Sequence, residues 1–223
     1  MIAAAIFDMD GLLIDSEPFW HKAHIQTVQT YGHELSAEDV RLKAGHKTIE
    51  IAQNWIERFE LDVTADDLCV QIVDRVIVLI EEDGRTLPGV YEALELFARH
   101  DVPMAIASSA SPEVIDAVIQ KLELSKYILF AYSAVHESKG KPDPAVFLTT
   151  AKKLGVEPAD CLVFEDALSG IKAAKSAGMK CIAVPEKINS NKREFIDESD
   201  LILHSLRELD WDVVKALFEI GKF

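Results

Sequence analysis

Short apolar stretches alternate with helical patterns over residues 89–203, and this alternation predicts the core of the protein. Each stretch is rich in Ala, Val, Ile, Leu and Phe, which is typical of a buried strand. The predicted strands cover residues 3–7, 104–107, 129–133, 161–165 and 180–184. The helical patterns between them cover residues 112–122, 144–154 and 168–177. This order predicts an α/β fold, with a Rossmann-like parallel sheet that carries helices on both faces.

Residues 17–83 show helical periodicity and no clear strand. The predicted helices cover residues 19–31, 36–42, 48–59 and 64–81. This helical block begins soon after the first predicted strand, so it interrupts the α/β domain. We therefore predict a discontinuous α/β core, residues 1–15 and 86–223, and an inserted α-helical domain, residues 16–85.

Composition narrows the class of partner. The chain carries 38 acidic and 23 basic side chains, a net charge of −15 at pH 7. A surface this acidic repels the phosphates of nucleic acids and anionic lipids, so we expect neither nucleic acid nor membrane as a partner.

Three cysteines without C-x-x-C spacing indicate neither a zinc site nor a disulfide framework, and they favour a reducing, cytoplasmic location. A monomer is the default expectation.

The sharpest chemical feature is Asp8-Met9-Asp10-Gly11, directly after the first predicted strand. Parallel α/β sheets bind ligands beyond the carboxyl ends of their strands, and the i, i+2 spacing turns both carboxylates to one side of an extended chain. Two carboxylates this close stay ionised with a cation nearby, and Mg²⁺ prefers such oxygen donors. Gly11 lets the backbone turn and allows a ligand to approach.

Three further polar features follow predicted strands. Ser108 and Ser109 offer hydroxyl and backbone N–H groups that suit a phosphate oxygen. Lys141 precedes a Pro-Asp-Pro sequence, and we expect the two prolines to hold this segment extended and to fix the direction of the lysine. Glu165 and Asp166 follow a buried run, so their charges face the sheet edge, where a metal would neutralise them. Each feature alone also fits a capping or solvated side chain.

The order Asp-x-Asp, Ser, Lys, Glu-Asp resembles the haloacid dehalogenase-like (HAD) phosphohydrolase superfamily across essentially the whole chain. DMDGLLIDSE, ASSAS, GKPDP and FEDALSGIKAAKSAG match its four motifs in order, and the helical block is similar to its inserted cap. The resemblance is strongest to the subgroup of 2-deoxyglucose-6-phosphate phosphatase, phosphoglycolate phosphatase and β-phosphoglucomutase. It implies a HAD-like core with a cap domain. It also implies a Mg²⁺-dependent phosphatase acting on a small phosphorylated metabolite, expected to be a sugar phosphate.

The resemblance also implies roles for individual residues. Asp8 would be the nucleophile and form an aspartyl-phosphate, while Asp10 would protonate the leaving alkoxide and then activate water. Ser108 and Lys141, with Ser109 beside them, would bind the phosphoryl oxygens of the substrate. The implied Mg²⁺ site consists of Asp8, the backbone carbonyl of Asp10, Asp166 and, either as a ligand or behind the ligands, Glu165.

Other protein classes share parts of this pattern. Haloalkanoate dehalogenases need neither Mg²⁺ nor a general acid two residues after the nucleophile, so the presence of Asp10 argues against that class. A receiver domain, a non-enzymatic phospho-accepting module, has its acidic pair before the phosphorylated aspartate and no inserted cap. A β-phosphoglucomutase-type phosphosugar mutase stays open as an alternative, although Trp20 stands where that mutase has a cap histidine. Within the cap, Lys47 lies in a glycine turn and is the expected substrate contact, with a solvated loop as the alternative.

Overall fold

The structure is a computed structural model that describes residues 2–41, 48–185 and 193–219. The chain divides into two compact units. The first, here called the core unit, joins Met1–Asp15 to Arg85–Phe223, and the second, the helical unit, is Ser16–Gly84. The two units are therefore connected by chain crossings at residues 15–16 and 84–85.

A parallel sheet forms the centre of the core unit. Its strands are β1 (Ala4–Phe7), β2 (Met104–Ser108), β3 (Ile128–Ser133), β4 (Cys161–Glu165), β5 (Lys180–Ala183) and β6 (Leu201–Ile202). Across the described residues they lie in the order β3-β2-β1-β4-β5-β6, with every neighbouring pair parallel. The strand order reverses at β1, so the switch point of the sheet lies between β1 and β4, where α/β folds bind ligands.

The parallel α/β prediction is confirmed, and the first five strands lie within one residue of their predicted bounds. The sixth strand was not predicted, because two residues are too few to show a periodic pattern.

The helices fall into the two units in chain order. The helical unit contains α1 (Glu17–Thr30), α2 (Ala37–Arg41), α3 (Thr48–Phe59) and α4 (Ala65–Asp83). The core unit contains α5 (Val90–Arg99), α6 (Pro112–Lys121), α7 (Ala145–Leu154), α8 (Leu168–Ser176), α9 (Arg193–Glu198) and α10 (Trp211–Glu219). Among the described helices, none has the length and apolar character needed to cross a bilayer.

Stacked aromatic rings fix the register of the two central strands. Phe7 of β1 pairs with Phe164 of β4, and their ring centroids lie 4.8 Å apart with nearly parallel planes. Phe97 of α5 packs edge-on against both rings, at 6.0 and 5.6 Å. All three side chains are completely buried. This packing places the residues after Phe7 and Phe164 side by side at the carboxyl edge of the sheet.

A buried histidine and tryptophan join two helices of the helical unit. His24 of α1 and Trp55 of α3 are 3% and 1% exposed. The indole N–H of Trp55 donates to Nδ1 of His24 at 3.3 Å. Burial, with a smaller effect from neighbouring His21, lowers the pKa of His24 to about 4. The folded helical unit therefore contains His24 in its neutral form.

Stability should consequently fall in mild acid. The folded-state pKa of His24, about 4, lies below the ordinary value of 6.5, so between these values the unfolded chain binds a proton at His24 and the folded chain does not. We expect the free energy of unfolding to decrease as the pH falls from 6.5 to about 4. His24→Asn should make the free energy of unfolding less dependent on pH in this range. Urea unfolding followed by tryptophan fluorescence measures both. The exposed His204 provides the control His204→Asn, and identical pH dependence in wild type and His24→Asn would contradict the prediction.

Candidate active site

Asp8 and Glu165 leave the two central strands side by side. The Asp8 backbone N–H donates to the Phe164 carbonyl at 3.0 Å, which extends the β1–β4 ladder by one residue. The two acidic residues are only 6% and 1% exposed. Carboxylates are rarely buried to this extent without a charged partner.

The Lys141 ammonium is that partner. Its Nζ donates to Oδ1 of Asp8 and to Oε1 of Glu165, both at 2.5 Å, and to the carbonyl of Ala107 at 3.2 Å. The ring of Phe147 lies 5.0 Å from Nζ on a further side. Burial alone would lower the pKa of Lys141, but Asp8 and Glu165 outweigh it and raise that pKa. The ammonium therefore stays charged inside the site.

The segment that carries Lys141 is a turn, so the expectation of an extended segment is wrong. The Asp143 N–H donates to the Gly140 carbonyl at 3.0 Å, and the Lys141–Pro142 peptide bond is cis. A cis proline at the third position of a four-residue turn reverses the chain. Asp143 then accepts a hydrogen bond from the Ala145 N–H at 3.1 Å, at the start of α7.

Three carboxylates converge beside the ammonium. Asp8, Glu165 and Asp166 each place an oxygen within 4.8 Å of the others. Burial, and then the charges of Asp8 and Glu165, raise the pKa of Asp166 to about 8. Burial also raises the pKa of Glu165 to about 7, against the opposing ammonium of Lys141. The raised pKa values show that one ammonium is too little positive charge to keep all three carboxylates ionised, whereas a divalent cation such as Mg²⁺, which prefers these oxygen donors, would favour their ionised forms.

Asp10 and Ser108 form a second part of the site, on the β2 side. The Ser108 hydroxyl donates to Oδ2 of Asp10 at 3.3 Å and accepts the Ala110 N–H at 3.0 Å. The Asp10 carboxylate thus contacts a hydroxyl group and is not one of the three converging carboxylates, Asp8, Glu165 and Asp166. Ser109 is exposed at the same edge, so its contact with phosphate stays a prediction.

Gly11 leaves the space in which the Asp166 carboxylate lies. Its backbone is in the left-handed region, with φ +78°, and a Cβ at this position would overlap the carboxylate of Asp166. The sequence predicts the turn at Gly11, whereas the required space is evident only from the structure.

Some contacts carry no signal in the sequence. The Ala107 carbonyl and the Ala167 N–H, which donates to Oε2 of Glu165 at 3.2 Å, are backbone groups that any residue would supply. Phe147 lies on the apolar face of α7, and that pattern indicates burial rather than contact with an ammonium. Lys47, the predicted substrate contact of the cap, lies outside the described residues and stays a prediction.

Comparison with known proteins decides the family. Residues 5–184 match the family described as haloacid dehalogenase-like hydrolase. The chain belongs to this family. It is 34% identical over 210 residues to hexitol phosphatase B from Escherichia coli (strain K12), which covers 93% of this chain and 94% of that protein. It is 33% identical over 182 residues to the fructose-1-phosphate phosphatase YqaB of the same organism, which covers 82% and 96%.

A solved structure shows the same fold. The β-phosphoglucomutase from Clostridium difficile superposes with a TM-score of 0.79 at 24% identity, covering 99% of this chain and 98% of that one. The predicted HAD-like core with an inserted helical cap is confirmed. The predicted enzyme class, a phosphoric monoester hydrolase, is confirmed by the family and by its phosphatase relatives.

Removing the ammonium should destabilise the core unit. We expect Lys141→Met to lower the free energy of unfolding by about 3–5 kcal/mol at neutral pH, because two buried carboxylates lose their partner. Urea unfolding in the presence of a chelator measures the change. Lys139→Met alters an exposed lysine two residues earlier and should stay within about 0.5 kcal/mol of wild type. A decrease of less than about 1 kcal/mol in the free energy of unfolding of Lys141→Met would contradict the expected contribution of these ion pairs to stability.

Proposed function

We propose that the protein is a Mg²⁺-dependent phosphatase that hydrolyses a sugar phosphate through an aspartyl-phosphate intermediate. The observation that carries this proposal is the buried set of Asp8, Lys141 and Glu165 beside Asp166, at the switch point of the sheet. In this set, the carboxylate that would act as the nucleophile lies beside the Lys141 ammonium, where a phosphoryl group would be transferred. The names of the relatives, hexitol phosphatase B and fructose-1-phosphate phosphatase, support a sugar phosphate as substrate.

In the first step, an oxygen of the Asp8 carboxylate attacks phosphorus. The bond from phosphorus to the sugar oxygen breaks, and its electron pair stays on that oxygen. Protonated Asp10 gives its proton to this oxygen, so the sugar leaves as a neutral alcohol. The Lys141 ammonium, already 2.5 Å from Asp8, binds the phosphoryl oxygens and offsets their charge during transfer.

In the second step, water releases the phosphate. The Asp10 carboxylate accepts a proton from a water molecule, whose oxygen attacks the phosphorus of the aspartyl-phosphate. The bond between phosphorus and the Asp8 oxygen breaks, which returns Asp8 to a carboxylate and Asp10 to its protonated form. Every proton given in the first step is thereby recovered in the second.

Ser108 has one hydroxyl proton to donate. The side chain is completely buried, and its hydroxyl donates to Oδ2 of Asp10, with 3.3 Å between the two oxygens. This proton cannot serve Asp10 and a phosphoryl oxygen at the same time. We therefore propose that the Ser108 hydroxyl donates its hydrogen bond to Asp10 in the free enzyme and to a phosphoryl oxygen once the substrate is bound.

The contacts of the acidic residues support one arrangement of the proposed cation site. Both oxygens of Glu165 already accept hydrogen bonds, from Lys141 and from the Ala167 N–H, which favours a place for Glu165 behind the ligands. Asp8, Asp166 and the backbone carbonyl of Asp10 would hold the ion. Mg²⁺ bound there would supply positive charge to offset that of the phosphoryl group.

Hydrolysis is favoured over a mutase reaction. Hexitol phosphatase B and fructose-1-phosphate phosphatase YqaB are 34% and 33% identical to this chain, whereas the putative β-phosphoglucomutase from Thermotoga maritima is 28% identical and that from Clostridium difficile 24%. Trp20 in place of the mutase cap histidine points the same way. Release of free phosphate, rather than conversion of a hexose 1-phosphate to its 6-phosphate, would support the phosphatase. A cytoplasmic location and a monomeric state stay predictions.

The nucleophile is tested by Asp8→Asn. We expect no measurable turnover of p-nitrophenyl phosphate or of a panel of hexitol and hexose phosphates, because an amide is a poor nucleophile. Asp116→Asn changes an exposed aspartate of α6 and should keep wild-type rates. If Asp8→Asn kept a tenth of the wild-type kcat, a loss of only ~1.4 kcal/mol in barrier, covalent catalysis by Asp8 would be refuted.

The metal assignment is tested by titration. A chelator should abolish turnover and Mg²⁺ should restore it. Asp166→Ala should raise the Mg²⁺ concentration needed for half-maximal activity by at least about tenfold, and calorimetry should show the weaker binding directly. Asp160→Ala, which changes an acidic residue just before β4, is the matched control. Unchanged Mg²⁺ binding in Asp166→Ala would remove that residue from the site.

A further inference from the structure

Gly170 is the third residue of α8 and lies directly against the side chain of Glu165. A Cβ built on Gly170 would overlap Oε1, Cδ and Oε2 of Glu165, and these are its three nearest atoms outside its own chain neighbourhood. Because the obstacle is the end of a flexible side chain, the overlap would be relieved by movement of the Glu165 carboxylate rather than of the strand backbone.

Helix packing does not explain this glycine. In the sequence, Gly170 stands among Ala173, Ala174 and Ala177, a pattern of small residues that indicates a helix packed closely on a sheet. If packing on the apolar face of the sheet required the glycine, its nearest atoms would be apolar side-chain atoms or strand backbone. They are instead the terminal carboxylate atoms of Glu165, the last residue of β4. A glycine inside a helix is also unfavourable relative to alanine, so its presence calls for a local reason.

The carboxylate in this space holds the Lys141 ammonium. Glu165 bends back over the first turn of α8, where Oε2 accepts the Ala167 N–H at 3.2 Å and Oε1 accepts from Lys141 at 2.5 Å. Nζ of Lys141 then reaches Asp8 on its other side. Displacement of Glu165 would remove one of the two carboxylates between which the ammonium is held.

We propose that Gly170 is a positioning residue for the active site: it leaves the space from which Glu165 holds Lys141 beside Asp8. Only the kinetic consequence rests on the proposed phosphatase function. The geometric claim is tested without substrate or metal.

The first test is a double-mutant cycle of thermal stability in the presence of a chelator. Gly170→Ala should lower the melting temperature of the otherwise wild-type protein, because the new methyl group displaces the carboxylate. In the Glu165→Ala background the same change should raise the melting temperature, because the obstacle is gone and alanine favours the helix. A variant that folds only in the Glu165→Ala background supports the proposal as well. The same effect in both backgrounds, including failure to fold in both, would overturn it.

The second test measures how accessible the Lys141 ammonium is to a reagent. A small amine-reactive reagent, followed by peptide mass spectrometry, gives the labelling rate of Nζ, whose side chain is 7% exposed in the ion pairs. We expect Gly170→Ala to increase this rate at least about tenfold relative to wild type. Two controls separate this from general destabilisation. Ser169→Ala changes the exposed neighbour on α8, and Gly178→Ala strains a glycine at φ +77° that has open space around it.

Both controls should leave Lys141 labelling at the wild-type rate, even if Gly178→Ala melts earlier. An unchanged rate in Gly170→Ala, or an equal rise in Gly178→Ala, would overturn the proposal. With a hydrolysable sugar phosphate, kcat/KM of Gly170→Ala should fall about 100-fold, the usual effect of a misplaced catalytic group. If the wild type hydrolyses no sugar phosphate, the proposed function fails, while stability and labelling still decide the role of Gly170.

Discussion

The Lys141 ammonium, enclosed by the carboxylates of Asp8 and Glu165, is the interaction on which the rest of the site depends. The ring stacking of Phe7 on Phe164 brings those two acidic residues together at the carboxyl edge of the central strands. Two carboxylates this deeply buried would be strongly destabilising without a partner. The partner comes from the turn before α7, far away in the sequence, so the folding of three separate segments of the core unit is coupled through one charged group.

The same charges determine what the site can do. A chain with a net charge of −15 repels anions at long range, yet the ammonium supplies positive charge where a phosphoryl group would meet Asp8. Asp166 adds a third oxygen donor to the cluster; burial and the neighbouring carboxylates raise its pKa, and a divalent cation would favour its ionised form. In the proposed function, the cation and the ammonium would together offset the charge of a dianionic phosphate ester, the class of substrate named by the phosphatases among the relatives.

Much of the fold could be read from the sequence because buried parallel strands leave a strong signal. Cys161–Glu165 was predicted to the residue, and the acidic and basic positions at the strand ends followed from the order of the motifs. Features set by local geometry were beyond the sequence. The turn at Lys141 is closed by the backbone hydrogen bond from Asp143 to Gly140, and the contact from Ala167 to Glu165 also uses a backbone group. Gly170 has the same sequence signal as a packing glycine, and only the position of the Glu165 carboxylate separates the two explanations.

Direct detection of phosphate on Asp8 tests the central claim. Asp10→Asn mixed with Mg²⁺ and p-nitrophenyl phosphate should still form the intermediate, because this leaving group needs no proton, while hydrolysis is slowed by the loss of the base. Acid quenching and peptide mass spectrometry should then find the mass of a phosphoryl group on the peptide that contains Asp8, and hydroxylamine should remove it. A phosphoryl group on another residue, or release of p-nitrophenol with no phosphorylated peptide at any time, would contradict the account.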